Sequence, residues 1–377
     1  MSVLLEGLQL APFRQRFPWL GPDLQTLRDT LRAPKPHTET APTFVFDLPA
    51  GDRLLARLDV PGLAPPQGLV VVVHGLGGGS DDEGQRRLAR ALCRRGFAVL
   101  RLNLRGAGPG RPLAVGTYAA SCTPDLHPVL RECRRLAWEL APGEGGLPLG
   151  AVGLSLGGTA LLNALLDSHS EGGPPLVDGL VCISSPLDLQ RCTEAINRPR
   201  NRIYQSWLVR RLIQQTLADP QGLSERESQG LRGPDRPRTI RAFDDLITAP
   251  RWGFPGVLAY YQACSPLPRL RQILHRLSHH GDTLPGLSPL LLVQARDDPW
   301  VPVDSALLLA EEIETLRQRG REGGGALPEV LITAHGGHNG FHAPGDSAEG
   351  CWSDRLASLW LGRLLPLPCG FRPKLHG

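Results

Sequence analysis

Near the middle of the chain, Gly153-Leu154-Ser155-Leu156-Gly157 sets a serine between glycines two positions to either side. Leu149 to Gly153 reads as a strand, and Ser155 to Asp167 as a helix. A chain that passes from strand to helix at a single residue turns so sharply that the residue is strained. The flanking glycines leave room for the turn and for the neighbouring strand, and Gly158 adds clearance. Such a turn lifts the hydroxyl above the sheet, at a helix N-terminus whose dipole favours developing negative charge. The competing reading is an incidental serine in a glycine-rich turn. The strand before and the helix after favour a nucleophile.

A serine hydroxyl is a weak nucleophile and needs a base that is itself oriented by an acid. On a sheet built of βα units these partners follow in the order acid, then histidine, at the ends of later strands. The strand Leu290 to Gln294 runs into Ala295-Arg296-Asp297-Asp298-Pro299-Trp300-Val301-Pro302, and the strand ending near Thr333 runs into His335-Gly336-Gly337-His338-Asn339-Gly340-Phe341. Asp298 opens an Asp-x-x-Val-Pro pattern and is the favoured acid. Asp297 reads as a bond to the loop backbone, and Asp188, after the preceding strand, is a third candidate. His338 follows two glycines that let its loop swing over the sheet edge, whereas His335, nearer the strand, reads as structural.

The third loop is His74-Gly75-Leu76-Gly77-Gly78-Gly79, after four consecutive valines. It misses the G-x-G-x-x-G spacing of a phosphate cradle, because the third glycine position falls on Ser80. It fits a loop that supplies one N–H of an oxyanion hole, the other coming from the residue after the nucleophile, so the donors are assigned to Leu76 and Leu156. His74 reads as a brace for this loop, and Arg105-Gly106-Ala107-Gly108 as a turn at the sheet edge.

These loops need a scaffold, and the pattern supplies one. A short helix is expected around Asp23 to Leu31, then a strand pair, Thr43 to Leu48 and Arg53 to Val60, about the turn Ala50-Gly51-Asp52. Strands at Gly68 to His74, Ala98 to Leu102 and Leu176 to Ser184 alternate with helices at Gln85 to Arg95 and Asp125 to Leu140. The alternation breaks at 187–286 and resumes with a helix at Asp304 to Arg319, a strand at Pro328 to Thr333 and a helix at Trp352 to Leu364. Repeated βα units imply a parallel sheet with helices on both faces. A helical insertion late in such a sheet belongs over its C-terminal edge, as a cap. The expected division is an N-terminal extension at 1–42, a core at 43–186 and 287–377, and a cap at 187–286.

Composition narrows the class. The chain has 377 residues, 41% hydrophobic and 21% charged, as soluble globular proteins do. A net charge of +4 is too small to argue for nucleic acid or a membrane surface. The eight cysteines show no CxxC pair and no metal-finger spacing. All eight are expected to be free thiols and none catalytic, because none lies in a loop facing the nucleophile with a paired base. No export signal stands at the N-terminus, and no apolar run approaches the roughly 18 residues of a membrane span. A cytoplasmic protein, favoured as a monomer, is the expectation. Residues 187–286 hold fifteen arginines against nine acids. That surplus is either a solvated surface or a means of steering anionic esters. In the same stretch Ile203, Tyr204, Trp207, Leu208, Leu212 and Ile213 form one apolar helical face, expected to pack cap against sheet more than to wall an acyl site.

With these residues in view, the chain resembles the YheT-like hydrolases of the AB hydrolase 4 family, within the α/β-hydrolase superfamily. Asp23-Leu24-Gln25-Thr26-Leu27 is similar to the family's N-terminal element, with Asp23 where the family pattern has histidine. His74 to Gly78 resembles its oxyanion loop; Ile240 to Thr248 and Tyr260 to Ser265 resemble its cap signatures; the Asp297-Asp298 and His335 to Phe341 stretches resemble its acid and base loops. The resemblance implies an α/β-hydrolase fold with a mostly parallel eight-stranded sheet and a helical cap after the sixth strand. It implies a Ser155–Asp298–His338 triad and esterase or acylglycerol-lipase chemistry on a small acyl ester, with no metal or organic cofactor and no nucleic-acid partner. An acyltransferase using the same acyl-serine, and a binding protein that retains the fold without catalysis, are the rival readings.

Overall fold

Val70 to Val73 are all fully buried at the centre of an eight-stranded sheet, because both of its faces are covered by helices. The computed structural model describes residues 3–31, 41–62, 65–141, 146–280, 287–319, 327–346 and 350–365; Cys369 lies outside them, as does the 281–286 end of the expected cap. The strands are β1 (Thr43–Asp47), β2 (Arg53–Asp59), β3 (Gly68–Val73), β4 (Phe97–Leu102), β5 (Leu149–Leu154), β6 (Gly179–Ile183), β7 (Leu290–Ala295) and β8 (Glu329–Thr333). Their order is β1-β2-β4-β3-β5-β6-β7-β8. β2 runs antiparallel to β1 and β4, and every other pairing is parallel. The sixth strand begins at Gly179 and not at Leu176, just after Asp178, whose N–H donates to Leu149 O and whose carboxylate accepts the Leu149 N–H.

Side chains alternate between the faces with the period of two that a strand imposes. Val71 and Val73 join one apolar cluster, while Val70 and Val72 join the other. Helices α1 (Val3–Gly7) and α2 (Gly21–Leu31) precede the sheet; α3 (Glu83–Arg94), α4 (Thr123–Leu140) and α5 (Leu156–Ser170) connect its strands. Between β6 and β7 come α6 (Leu189–Ile196), α7 (Arg202–Leu217), α8 (Glu225–Arg232), α9 (Ile240–Phe243), a π-helical turn Asp244–Thr248, α10 (Ala249–Arg251), α11 (Val257–Cys264) and α12 (Leu267–His280). The chain closes with α13 (Asp304–Gln318) and α14 (Trp352–Leu364). Residues of α4, α5 and α13 pack on one face, and residues of α3 and α14 on the other. The α/β architecture with a helical insertion after the sixth strand is the one expected. Loops at the C-terminal ends of β3, β5, β7 and β8 therefore meet at one edge, beneath the insertion.

Candidate active site

Ser155 sits between β5 and α5 with φ 51° and ψ −127°, a left-handed conformation costly for a residue with a Cβ. Its surroundings enforce the turn. A Cβ on Gly157 would lie 2.4 Å from the carbonyl oxygen of His74, and one on Gly153 would lie 2.2 Å from the Cα of Gly158. Gly75 has the same constraint from the other side, its would-be Cβ falling 2.9 Å from that of Ser155. The glycines thus let the loop after β3 close on the serine. In that loop Gly77 donates its N–H to the Tyr118 hydroxyl at 2.6 Å, Gly78 to the carbonyl of Gly75, and Gly79 to the Asp82 carboxylate. His74 braces it, donating from Nδ1 to Gly75 O at 2.8 Å and accepting the Leu104 N–H at Nε2. Burial pushes the His74 pKa down, which keeps Nε2 free of a second proton.

The base loop brings His338 over this turn. Its Nε2 lies 3.0 Å from Ser155 Oγ, and its Nδ1 lies 3.0 Å and 3.2 Å from the two carboxylate oxygens of Asp298. Asp298 is held in turn, accepting the N–H groups of Trp300 and Val301 at Oδ1 and the Gln294 amide at Oδ2. Its side chain is fully buried, and the Trp300 ring lies 4.4 Å from that of His338. The other candidates fall elsewhere. Asp297 accepts the Gly337 N–H at 2.9 Å and faces the exposed His335, so it braces the base loop. Asp188 caps α6, accepting the Arg191 N–H.

Two side chains to which the sequence assigned no role support the His338 loop from behind. The Thr26 hydroxyl accepts the backbone N–H of His338 at 2.9 Å while donating to Pro22 O. Gln25, fully buried, clamps His342 with both ends of its amide, taking its N–H at 2.7 Å and donating to its carbonyl at 3.0 Å. The signal was present, since both belong to the N-terminal motif, but nothing in spacing ties α2 to a loop more than 300 residues away.

A cavity of about 940 Å³ opens above Ser155 between core and insertion. This is the upper end of what small-molecule sites offer. Leu76, Ile196, Leu208, Leu212, Ile240 and Phe243 wall it, with Ile203 and Trp207 at its exposed rim. The apolar face of α7 is therefore largely cavity wall, where cap-to-sheet packing was the favoured expectation. Ile213 alone of that face stays off the cavity, packing against the cap clusters. Only Arg200 and Arg211 of the insertion's arginines reach the cavity, and both are paired, with Asp23 at 3.0 Å and Asp82 at 3.2 Å. They latch insertion to core; the positive surplus does not line the pocket. Deeper in, Asp244 accepts the hydroxyls of Thr248 at 2.7 Å and Tyr261 at 2.8 Å, and burial raises its pKa to about 6. Seven cysteines are free thiols among the described residues. One of them, Cys192 on α6, lines the cavity; desolvation and the carboxylates of Asp298 and Asp188 push its thiol well above its usual pKa. Among the described residues no cluster of three or more metal-type ligands converges, and no helix is long and apolar enough to cross a membrane.

Residues 68–342 match the family model of the alpha/beta hydrolase fold. The chain is 30% identical over 310 residues to the putative esterase YheT of Escherichia coli, covering 78% of this chain and 77% of that protein. It is 30% identical over 274 residues to medium-chain fatty acid ethyl ester synthase/esterase 2 of Saccharomyces cerevisiae, covering 65% of this chain and 54% of that one. Among solved structures, the acylaminoacyl peptidase of Pyrococcus horikoshii superposes with a TM-score of 0.50 at 17% identity, over 92% of this chain and 44% of its own, and shares the fold alone.

Proposed function

Since the chain belongs to the α/β-hydrolase family, we propose that it is a serine carboxylic-ester hydrolase acting on short- to medium-chain acyl esters. Ser155 attacks the ester carbonyl as His338 Nε2 takes the hydroxyl proton. Asp298 fixes the imidazole with its proton on Nδ1 and stabilises the imidazolium that forms. The negative charge on the tetrahedral oxygen is met by the N–H groups of Leu76 and Leu156. Collapse expels the alcohol, which leaves with the proton from His338, and the acyl group stays on Ser155. His338 then deprotonates a water that attacks the acyl carbonyl; as the second tetrahedral intermediate collapses, the bond to Ser155 Oγ breaks, His338 returns the proton to that oxygen, and the acid departs. No step calls on a metal or organic cofactor.

The observation that carries this reading is the continuous contact from Ser155 Oγ through His338 to the buried Asp298, 3.0 Å at each link. The apolar cavity above it suits an acyl chain, each buried methylene adding about 0.8 kcal/mol until the space is filled. A relative named as both synthase and esterase favours one second reading, in which an alcohol replaces water as the acyl acceptor. A fluorophosphonate probe tests the nucleophile: the wild type should be labelled and Ser155→Ala should not. Turnover of a soluble ester with and without added ethanol then separates the readings, since an acyltransferase yields the ethyl ester as its main product.

A further inference from the structure

Both lips of the cavity expose large apolar side chains, set among the ion pairs Asp23–Arg200 and Asp82–Arg211. On α7, Ile203 is 83% and Trp207 48% exposed, one turn apart, and both reach the cavity rim. Across the opening, α2 gives Thr26, Leu27 and Thr30 to the cavity and exposes Leu24 (40%) and Leu31 (59%) beside them. The two helices meet where Asp23 accepts from Arg200 and from the Tyr204 hydroxyl. Exposed large side chains scattered singly need no explanation, but these ring the mouth of one cavity.

Charge selects the partner. Between Glu194 and Asp219 the chain carries five arginines and no acidic residue. Arg200 and Arg211 are held by Asp23 and Asp82, and Arg211 lies over the Trp207 ring. Arg202 and Arg210 lie exposed on the outer side of α7, and no ion pair engages them among the described residues. The acids of the opposite lip are already matched, Asp29 by Arg87 and Asp81 by Arg57 and Arg86. A helix with Trp and Ile beside unopposed arginines is built to lie in a headgroup layer.

We propose that the α2–α7 mouth docks on an anionic phospholipid bilayer, so that an acyl ester passes from the lipid layer into the cavity without crossing water. The docking rests on the ester-hydrolase reading for its purpose but not for its measurement. Ser155→Ala protein should co-sediment with phosphatidylcholine vesicles containing about 30% phosphatidylserine, and more weakly with phosphatidylcholine alone. Adding Ile203→Ser and Trp207→Ser should lower partitioning about tenfold or more. Arg202→Glu with Arg210→Glu should lower the phosphatidylserine-dependent part by about fivefold per arginine, and salt should weaken it in the parent. In the active enzyme the arginine pair should slow hydrolysis of vesicle-borne esters and spare soluble ones. Absence of vesicle binding, or binding that ignores the Ile203 and Trp207 changes, overturns the docking, whatever the Ser155 probe shows. A chain that binds vesicles but fails to hydrolyse any ester keeps the docking and loses the enzyme reading.

Discussion

Asp298 meets His338 Nδ1 with both carboxylate oxygens, and one of them, Oδ1, also takes two backbone N–H groups. Asp298→Asn should therefore keep the loop close to its native shape yet hold the wrong imidazole tautomer, at a cost of about 10⁴ in kcat. Asp297→Asn and Asp188→Asn, on residues that brace a loop and cap a helix, should each cost about tenfold or less, because neither touches the reacting groups. Steady-state kinetics on one soluble ester ranks the three; near-wild-type turnover in Asp298→Asn would remove it from the triad. Gly157→Ala poses a steric question, since its Cβ would press on the backbone oxygens of Val73 and His74, which cannot swing away. That variant should be recovered mostly insoluble, and a soluble, active form would contradict the geometry of the turn. At this scale the sequence was informative. Motif spacing placed Ser155, Asp298 and His338 in three loops that the structure brings within hydrogen-bond distance of one another, because loops after consecutive βα units share one edge of a sheet. It could not see Cys192 at the cavity, since nothing local to α6 records which face looks inward.

Elements distant in sequence carry the support for those residues. The α2 helix holds the base loop through Thr26 and Gln25 and touches α7 through Asp23. Thr26→Val keeps the shape but strands the His338 N–H, a loss of about 1–3 kcal/mol. If that loss falls on the placing of the base, kcat should drop about tenfold while KM and the circular dichroism spectrum stay unchanged. A rise in KM alone would mean that α2 only walls the cavity. The insertion offers a second test in Asp244, whose carboxyl burial raises from an ordinary 3.8 to about 6. The folded state then holds a proton that the unfolded state has released, so stability is full below about 4 and declines as pH rises through 6. Asp244→Asn cannot ionise and should gain in melting temperature relative to wild type as pH climbs across this window. A difference independent of pH would show that Asp244 titrates normally. The strands and helices of the core were legible to within a few residues, whereas α1 and the separate helices of the insertion were not. Their mutual contacts were not, because local periodicity fixes a face without naming its neighbour.

Taken across the molecule, charge and apolar surface are distributed, and averages conceal it. A net charge of +4 is too small to argue for nucleic acid or a membrane surface, yet an acid-free run with five arginines lies beside the cavity mouth. The arginine-rich insertion likewise suggested steering of anionic esters, but the two arginines that reach the cavity are held by Asp23 and Asp82. Anionic soluble esters should therefore gain no advantage over neutral ones of equal acyl length, and kcat/KM for the pair should respond alike to salt. A rate advantage for the anion that salt abolishes would restore the steering.

On the proposed mechanism every turnover passes an acyl group through Ser155. Wild-type protein mixed with a chromogenic medium-chain ester, quenched in acid during turnover and mapped by peptide mass, should carry one acyl group, on the peptide containing Ser155. An acyl group on the peptide containing Cys192, or steady turnover with Ser155 unmodified and unneeded, would contradict the account.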